Sequence, residues 1–121
     1  MICNEIDFIA WLDKQLDEEI PEGILAFNIN VNESPFNIEL IGSDEFTPDD
    51  EDWACNEDWI PINRSMTVSD ELFGDSWEVA ESNILKFSKA YLDSNAVNVY
   101  KLTKAKAFSV GFVDGSLNYV V

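Results

Sequence analysis

Two stretches that alternate apolar and polar residues, separated by a short turn, constrain this chain more than any other feature. In ILAFNINV, residues 24–31, Leu25, Phe27, Ile29 and Val31 alternate with Ala26, Asn28 and Asn30. In FNIELIG, residues 36–42, Phe36, Ile38 and Leu40 alternate with Asn37 and Glu39. Successive side chains of a strand point to opposite faces, so a period of two marks a half-buried strand. Asn32-Glu33-Ser34-Pro35 between them supplies turn residues. The two segments are expected to pair as an antiparallel hairpin with one apolar face.

That face must be covered, and two helical stripes are available to do it. The first predicted helix spans about residues 4–19, with Asn4 as its cap and Asp7 three positions on. Ile6, Ile9, Leu12 and Leu16 fall on one side, Phe8 and Trp11 at its edges, and Pro21 and Gly23 close it. The second opens at Asp75 and Ser76, with Glu78 completing an Asp75-based capping box. Ala80, Ile84, Phe87 and Tyr91 form its stripe, Trp77 and Leu92 widen it, and Asn95 is a candidate C-cap. Residues 96–106 are ambiguous, with room for one helical turn.

Two more strands follow. AFSVGFV turns Phe108, Val110 and Phe112 inward, Asp114-Gly115 signals a two-residue hairpin, and SLNYVV returns. A further short strand is expected within DWACNEDWIPI, where Trp53, Cys55 and Ile60 are apolar and Pro61 confines it to an end or edge. Residues 61–74 read as loop. The order is α-β-β-(β)-α-β-β in a single domain of 121 residues. It implies an α+β fold, an antiparallel sheet of four to five strands packed against two main helices.

Charge is the second constraint. Residues 1–80 carry 21 acids against Lys14 and Arg64, whereas residues 81–121 carry three acids against five lysines, within a net charge of −17. Solubility alone asks for a net charge of about 2–8 in magnitude in a small domain. The excess opposes compaction, repels nucleic acid and anionic lipid, and attracts basic protein surfaces. It is densest in DEFTPDDEDWACNED, residues 44–58, where Asp44, Glu45, Asp49, Asp50, Glu51, Asp52, Glu57 and Asp58 accumulate without a base between them. Disordered acidic tails contain few aromatics. Here Phe46 and Trp53 interrupt the acids and Trp59 follows them. The reading is a division of labour: Trp53 and Trp59 anchor the segment, and the eight carboxylates project from it toward a partner.

Other chemistries find less support. The chain contains no histidine, which removes the commonest general base, the usual Ser and Cys triads and His-containing metal sites. Cys3 and Cys55 match no zinc spacing and read as two reduced thiols. DDEDWACNED lacks the glycine and ligand spacing of an EF-hand loop. None of the five glycines forms a phosphate-cradling loop. No metal, cofactor or catalytic residue is therefore expected. A carboxylate-dependent hydrolase stays open as an alternative, because paired acids suffice for glycoside hydrolysis. No run of eighteen apolar residues is present and MICNEIDFIAW does not resemble a secretion signal, so a cytoplasmic protein is expected.

IELIGSDEFTPDDEDWACNEDW, the later VGFVDGSLNYV and the leading FIAWLDKQLDEEIPEGILAFNINV together resemble small acidic immunity proteins encoded beside bacterial polymorphic toxins, including contact-dependent growth inhibition systems. The resemblance covers most of the chain, residues 61–74 least. It implies a cytoplasmic protein that binds one cognate toxin domain and neutralises it, often a nuclease. The resemblance transfers no individual contact residue. The charge adds the expectation of a non-enzymatic role: nuclease clefts are basic because they hold phosphate backbones, and an acidic protein covering such a cleft inhibits without chemistry. The alternative binding role is a nucleic-acid mimic or chaperone-like binder of another basic protein.

Overall fold

Residues 1–33, 35–112 and 117–120 are described by the computed structural model. The elements are α1 (Glu5–Leu16), β1 (Ala26–Asn32), β2 (Asn37–Ser43), a 3₁₀ helix (Glu51–Cys55), β3 (Ser65–Thr67), α2 (Asp70–Phe73), α3 (Trp77–Asp93), α4 (Val99–Thr103), β4 (Ala107–Phe112) and β5 (Asn118–Tyr119). The α+β class and the two main helices, α1 and α3, are those the sequence predicts. The Asp114-Gly115 turn lies outside the described residues.

The five strands stand in the order β3-β2-β1-β4-β5. β1 and β2 form the expected antiparallel hairpin, with Ile29 opposite Leu40 and Val31 opposite Ile38. β3 joins β2 and β5 joins β4, both antiparallel. The central pair is different: β4 lies parallel to β1, with Ala26 opposite Ala107 and Phe27 opposite Phe108. The sheet is therefore mixed. Parallel neighbours require a long crossover, and the chain from β2 to β4 supplies one that includes α2, α3 and α4.

One sheet face carries the main core. Phe27, Ile29 and Val31 of β1, Ile38 and Leu40 of β2, and Phe108 and Val110 of β4 meet Phe8, Leu12 and Leu16 of α1 and Ala80, Ile84, Phe87 and Tyr91 of α3. Phe8 stacks at a tilt on both Trp11 and Phe87, with centroids 5.7 Å apart in each case. The buried arc of α1 is centred on Phe8, Trp11, Leu12, Gln15 and Leu16. Ile6 lies on the opposite side, 77% exposed. The two rings bury more area than an isoleucine and set which way the helix turns.

Trp77 also departs from the expectation of a core residue. At the first turn of α3 it is 50% exposed, edge-on to Phe112 at 5.7 Å. Ser76 rather than Asp75 caps α3, its hydroxyl accepting from the Val79 N–H, and Ser94 rather than Asn95 ends it. Residues 61–74 are not all loop. Ser65–Thr67 forms β3, too short to show alternation, and Ser69 caps the single turn of α2. Val68 is buried beside Ile2, whose backbone N–H donates to Thr67 O at 2.9 Å.

The helices are tied to one another by a polar knot. The Tyr91 hydroxyl donates to Asp13 Oδ1 at 2.7 Å, and the same oxygen accepts from the Asn98 N–H at 3.0 Å. Asn98 Nδ2 reaches the Asp13 carbonyl at 3.0 Å. The Lys101 ammonium donates to the Leu16 carbonyl, where a cation suits the end of α1. Burial, with the neighbouring Asp13 carboxylate, pushes the Tyr91 phenol far above its usual range, so it stays a donor at every pH at which the fold is tested. Tyr91→Phe should keep the ring packing and lose this charge-assisted bond, lowering stability by about 1.5–3 kcal/mol. Urea denaturation reads it as a lower midpoint at unchanged slope. An unmoved midpoint would mean that packing alone joins α1 to α3.

Candidate functional site

The acidic segment leaves the sheet at Ser43, the last residue of β2, and returns to it at Trp59. Trp59 pairs with Gly42 through both backbone bonds, N–H to O at 3.1 Å and 2.9 Å. Residues 44–58 are thus a loop whose ends meet, the form of a compact surface loop packed by its own side chains. The neck is tightened by the Asp44 N–H donating to Asp58 Oδ2 at 2.9 Å. A side chain at Gly42 would force its neighbours to shift. A Cβ on it would stand 2.8 Å from Ile24 Cγ2 and 3.2 Å from the Trp59 ring.

Inside the loop, the expected short strand is absent. Thr47 O accepts the Asp50 N–H at 3.2 Å, and the Asp50 side chain caps the 3₁₀ helix by accepting the Asp52 N–H at 2.9 Å. Ser43 Oγ is a hub: it donates to Glu45 O at 2.9 Å, accepts the Glu45 N–H at 3.1 Å and accepts Asn56 Nδ2 at 3.1 Å. A 3₁₀ helix turns three residues per turn. Its pitch places Trp53 and Ala54 inward and leaves Cys55 outward, where a strand would have buried Trp53 and Cys55 together.

Trp53 and Trp59 are both buried, at 3% and 8% exposure, but against opposite sheet faces. Trp59 joins the main core, edge-on to Phe27 at 6.0 Å. Trp53 lies on the other face with Ala54, over Ala26 and Ala107. Those paired alanines leave room for the indole. Phe46 meets Trp53 edge-on at 5.5 Å, and the Trp53 N–H donates to the Tyr119 hydroxyl at 3.3 Å. The loop therefore grips the sheet from both sides.

All eight carboxylates named from the sequence, Asp44, Glu45, Asp49, Asp50, Glu51, Asp52, Glu57 and Asp58, are exposed. The structure brings Asp44 and Asp58 together at the neck and sets Asp49–Asp52 at the cap of the 3₁₀ helix. Glu51 Oε2 accepts the Leu117 N–H at 3.2 Å, and Glu57 pairs with Arg64. Arg64 also pairs with Glu39 at 3.1 Å, and these are the two ion pairs among the described residues. No three carboxylates or thiols converge as a metal would need, again among the described residues.

The sequence did not single out what lies beneath the loop. Asn28 and Asn30 of β1, expected on a wet face, are covered or half-covered there. Ser109 donates to Asn28 Oδ1 at 2.8 Å, Asn28 Nδ2 donates to Asn30 Oδ1 at 2.7 Å, and Asn30 Nδ2 reaches Glu39 at 3.5 Å. Between this polar row and the 3₁₀ helix is a cavity of about 200 Å³, with Glu39, Glu51 and Glu57 in its lining. Their polar alternation in ILAFNINV was the visible signal; that the acidic loop folds back over them was not. A larger cavity of about 520 Å³ lies elsewhere, between the end of α1 and α4, and mixes Glu18, Glu19 and Glu22 with Lys101, Lys104 and Lys106.

The Asp44 carboxyl is held above its ordinary value, first by the hydrogen bond it shares with Asp58, then by desolvation and by repulsion from Asp58 and Glu45. The folded state thus holds this proton more tightly than the unfolded chain does. The stability it contributes is present at low pH and lost as pH rises through the raised value. Asp44→Asn should therefore melt above the parent at pH 7, with the gap closing on acidification toward the ordinary carboxylate range. A gap that stays constant between pH 7 and pH 4 would show that the carboxyl pair stores no such repulsion. The pair is exposed and lines neither of the cavities above.

No helix among the described residues is long and apolar enough to cross a membrane. No family model, curated protein or solved structure matches the chain.

Proposed function

We propose that this chain is an immunity protein: a cytoplasmic, non-enzymatic inhibitor that binds a toxin domain with a basic surface, a nuclease, and covers its active-site cleft. The observation that carries the proposal is the acidic loop, eight exposed carboxylates on a frame pinned by Trp53 and Trp59 to opposite sheet faces. A rigid array loses less entropy on binding than a floppy one. Carboxylates are acceptors that suit the Arg and Lys of a phosphate-binding cleft. A cleft covered in this way admits no nucleic acid, and inhibition needs no chemistry. The long-range field speeds encounter and is screened by salt.

The test is the product of the gene adjacent to the one encoding this chain. Its toxin domain, mixed with the purified protein, should lose nuclease activity at one-to-one stoichiometry. Stopped-flow association should slow steeply between low and moderate salt, because the Debye length is about 10 Å at 0.1 M. A complex that leaves the nuclease fully active removes the cleft-covering role. An association rate indifferent to salt would show that the charge takes no part in recognition.

A further inference from the structure

A row of surface carboxylates attracts cations diffusely, but the cavity under the acidic loop has depth and a built floor. Asn28, 1% exposed, is fixed by Ser109 on one side and Asn30 on the other. The exposed 3₁₀ helix residue Cys55 stands at the edge, and Glu39, Glu51 and Glu57 form the walls. We propose that this cavity receives one arginine side chain of the basic partner, its guanidinium lying over Asn28 and Asn30 among the three glutamates. The proposal rests on the reading of the chain as an acidic binder and names the group that the binder takes.

Size, polarity and charge select this occupant. Sites for small molecules hold about 300–1,000 Å³, so about 200 Å³ suits a single side chain rather than a nucleotide or sugar. The glutamates offer acceptors only, and the asparagine network directs amide hydrogens to Asn30 Oδ1 and to Glu39. The complement is a group made only of donors. Two of these acids already pair with a guanidinium: Arg64, which does not line the cavity, bridges Glu39 and Glu57 and remains 46% exposed. Three carboxylates against that one cation leave the lining negative. A planar fork with five N–H groups satisfies dispersed oxygens better than an ammonium does.

The probe is N-acetyl-arginine amide, with N-acetyl-citrulline amide as its neutral isostere and N-acetyl-lysine amide as the ammonium control. Nitrogen-15 NMR follows the side-chain amides of Asn28 and Asn30. Arginine amide should shift both saturably, and citrulline amide should bind at least about tenfold more weakly, the size expected of one charge-assisted bond. Cys55→Trp changes no charge and blocks the mouth, so it should abolish the shifts. Glu51→Gln keeps an acceptor for the Leu117 N–H and should weaken binding without filling the cavity. Equal binding of citrulline amide or lysine amide overturns the guanidinium assignment. A Cys55→Trp protein that titrates like the parent overturns the cavity itself and places cation binding on the loop at large; the acidic-binder reading would survive that result. That reading fails separately, if the adjacent toxin domain is not inhibited while the arginine titration succeeds.

Discussion

Trp53→Ala should lower stability by about 3–5 kcal/mol, the range for removing a buried indole. The ring is not a member of the main core, yet the loss is expected at full size. It fills the space over the Ala26–Ala107 pair, packs on Phe46 and donates to Tyr119. The alanines are short and cannot follow a shrinking neighbour into the gap. The damage should be local before it is global. Hydrogen exchange should show residues 44–58 opening at low free energy while the α1–α3 amides remain protected. Recognition of the proposed partner should fall as a consequence of lost order, because the carboxylates no longer hold their spacing. A variant that melts like the parent would remove the Trp53 anchor from the account. A variant that opens everywhere at once would merge the two sides of the sheet into a single cooperative unit.

The parts of this structure that were legible in the sequence are those governed by local period. ILAFNINV and FNIELIG gave β1 and β2, and the Ala80–Tyr91 stripe gave α3, because a half-buried element must repeat apolar residues at its own pitch. The parallel pairing of β1 with β4 was not legible. Ala26 and Ala107 meet across the crossover, and nothing local in either strand states the direction of its partner. Trp53 and Cys55 imitated a strand by alternation, whereas the caps at Asp50 and the burial of Ala54 belong to a tighter helix. Ile6 and Trp77 were misplaced for separate reasons. Ile6 faces away from the buried arc that the Phe8 and Trp11 rings set, and Trp77, at the first turn of α3, is only half covered, edge-on to Phe112. As for the candidate site, the sequence singled out eight carboxylates that are exposed and two tryptophans that are buried. It could not show that the anchors grip opposite faces or that Asn28 forms a floor, since both depend on where the loop folds back.

Replacing Asp49, Asp50, Glu51 and Asp52 by Asn, Asn, Gln and Asn should slow association with the proposed partner by about tenfold or more at low salt, and leave the fold intact. The two halves of the expectation have separate causes. For the fold, Asn caps a helix about as well as Asp, so the bond from the Asp52 N–H has a replacement acceptor at position 50. Gln at position 51 still offers an oxygen to the Leu117 N–H. Removing four of the charges from a chain at −17 also relieves repulsion, so the melting temperature should hold or rise slightly. For association, the four groups are exposed and stand together at the start of the 3₁₀ helix, where they contribute to the field that a basic surface meets first. The difference between parent and variant should shrink as salt rises, since screening shortens from about 10 Å at 0.1 M to about 3 Å at 1 M. Stopped-flow rates across that range, with calorimetric melting as the control, separate the causes. A variant with unchanged rate, affinity and protection would reduce Asp49–Asp52 to a solvated edge. The recognition surface would then have to lie on another side of the molecule.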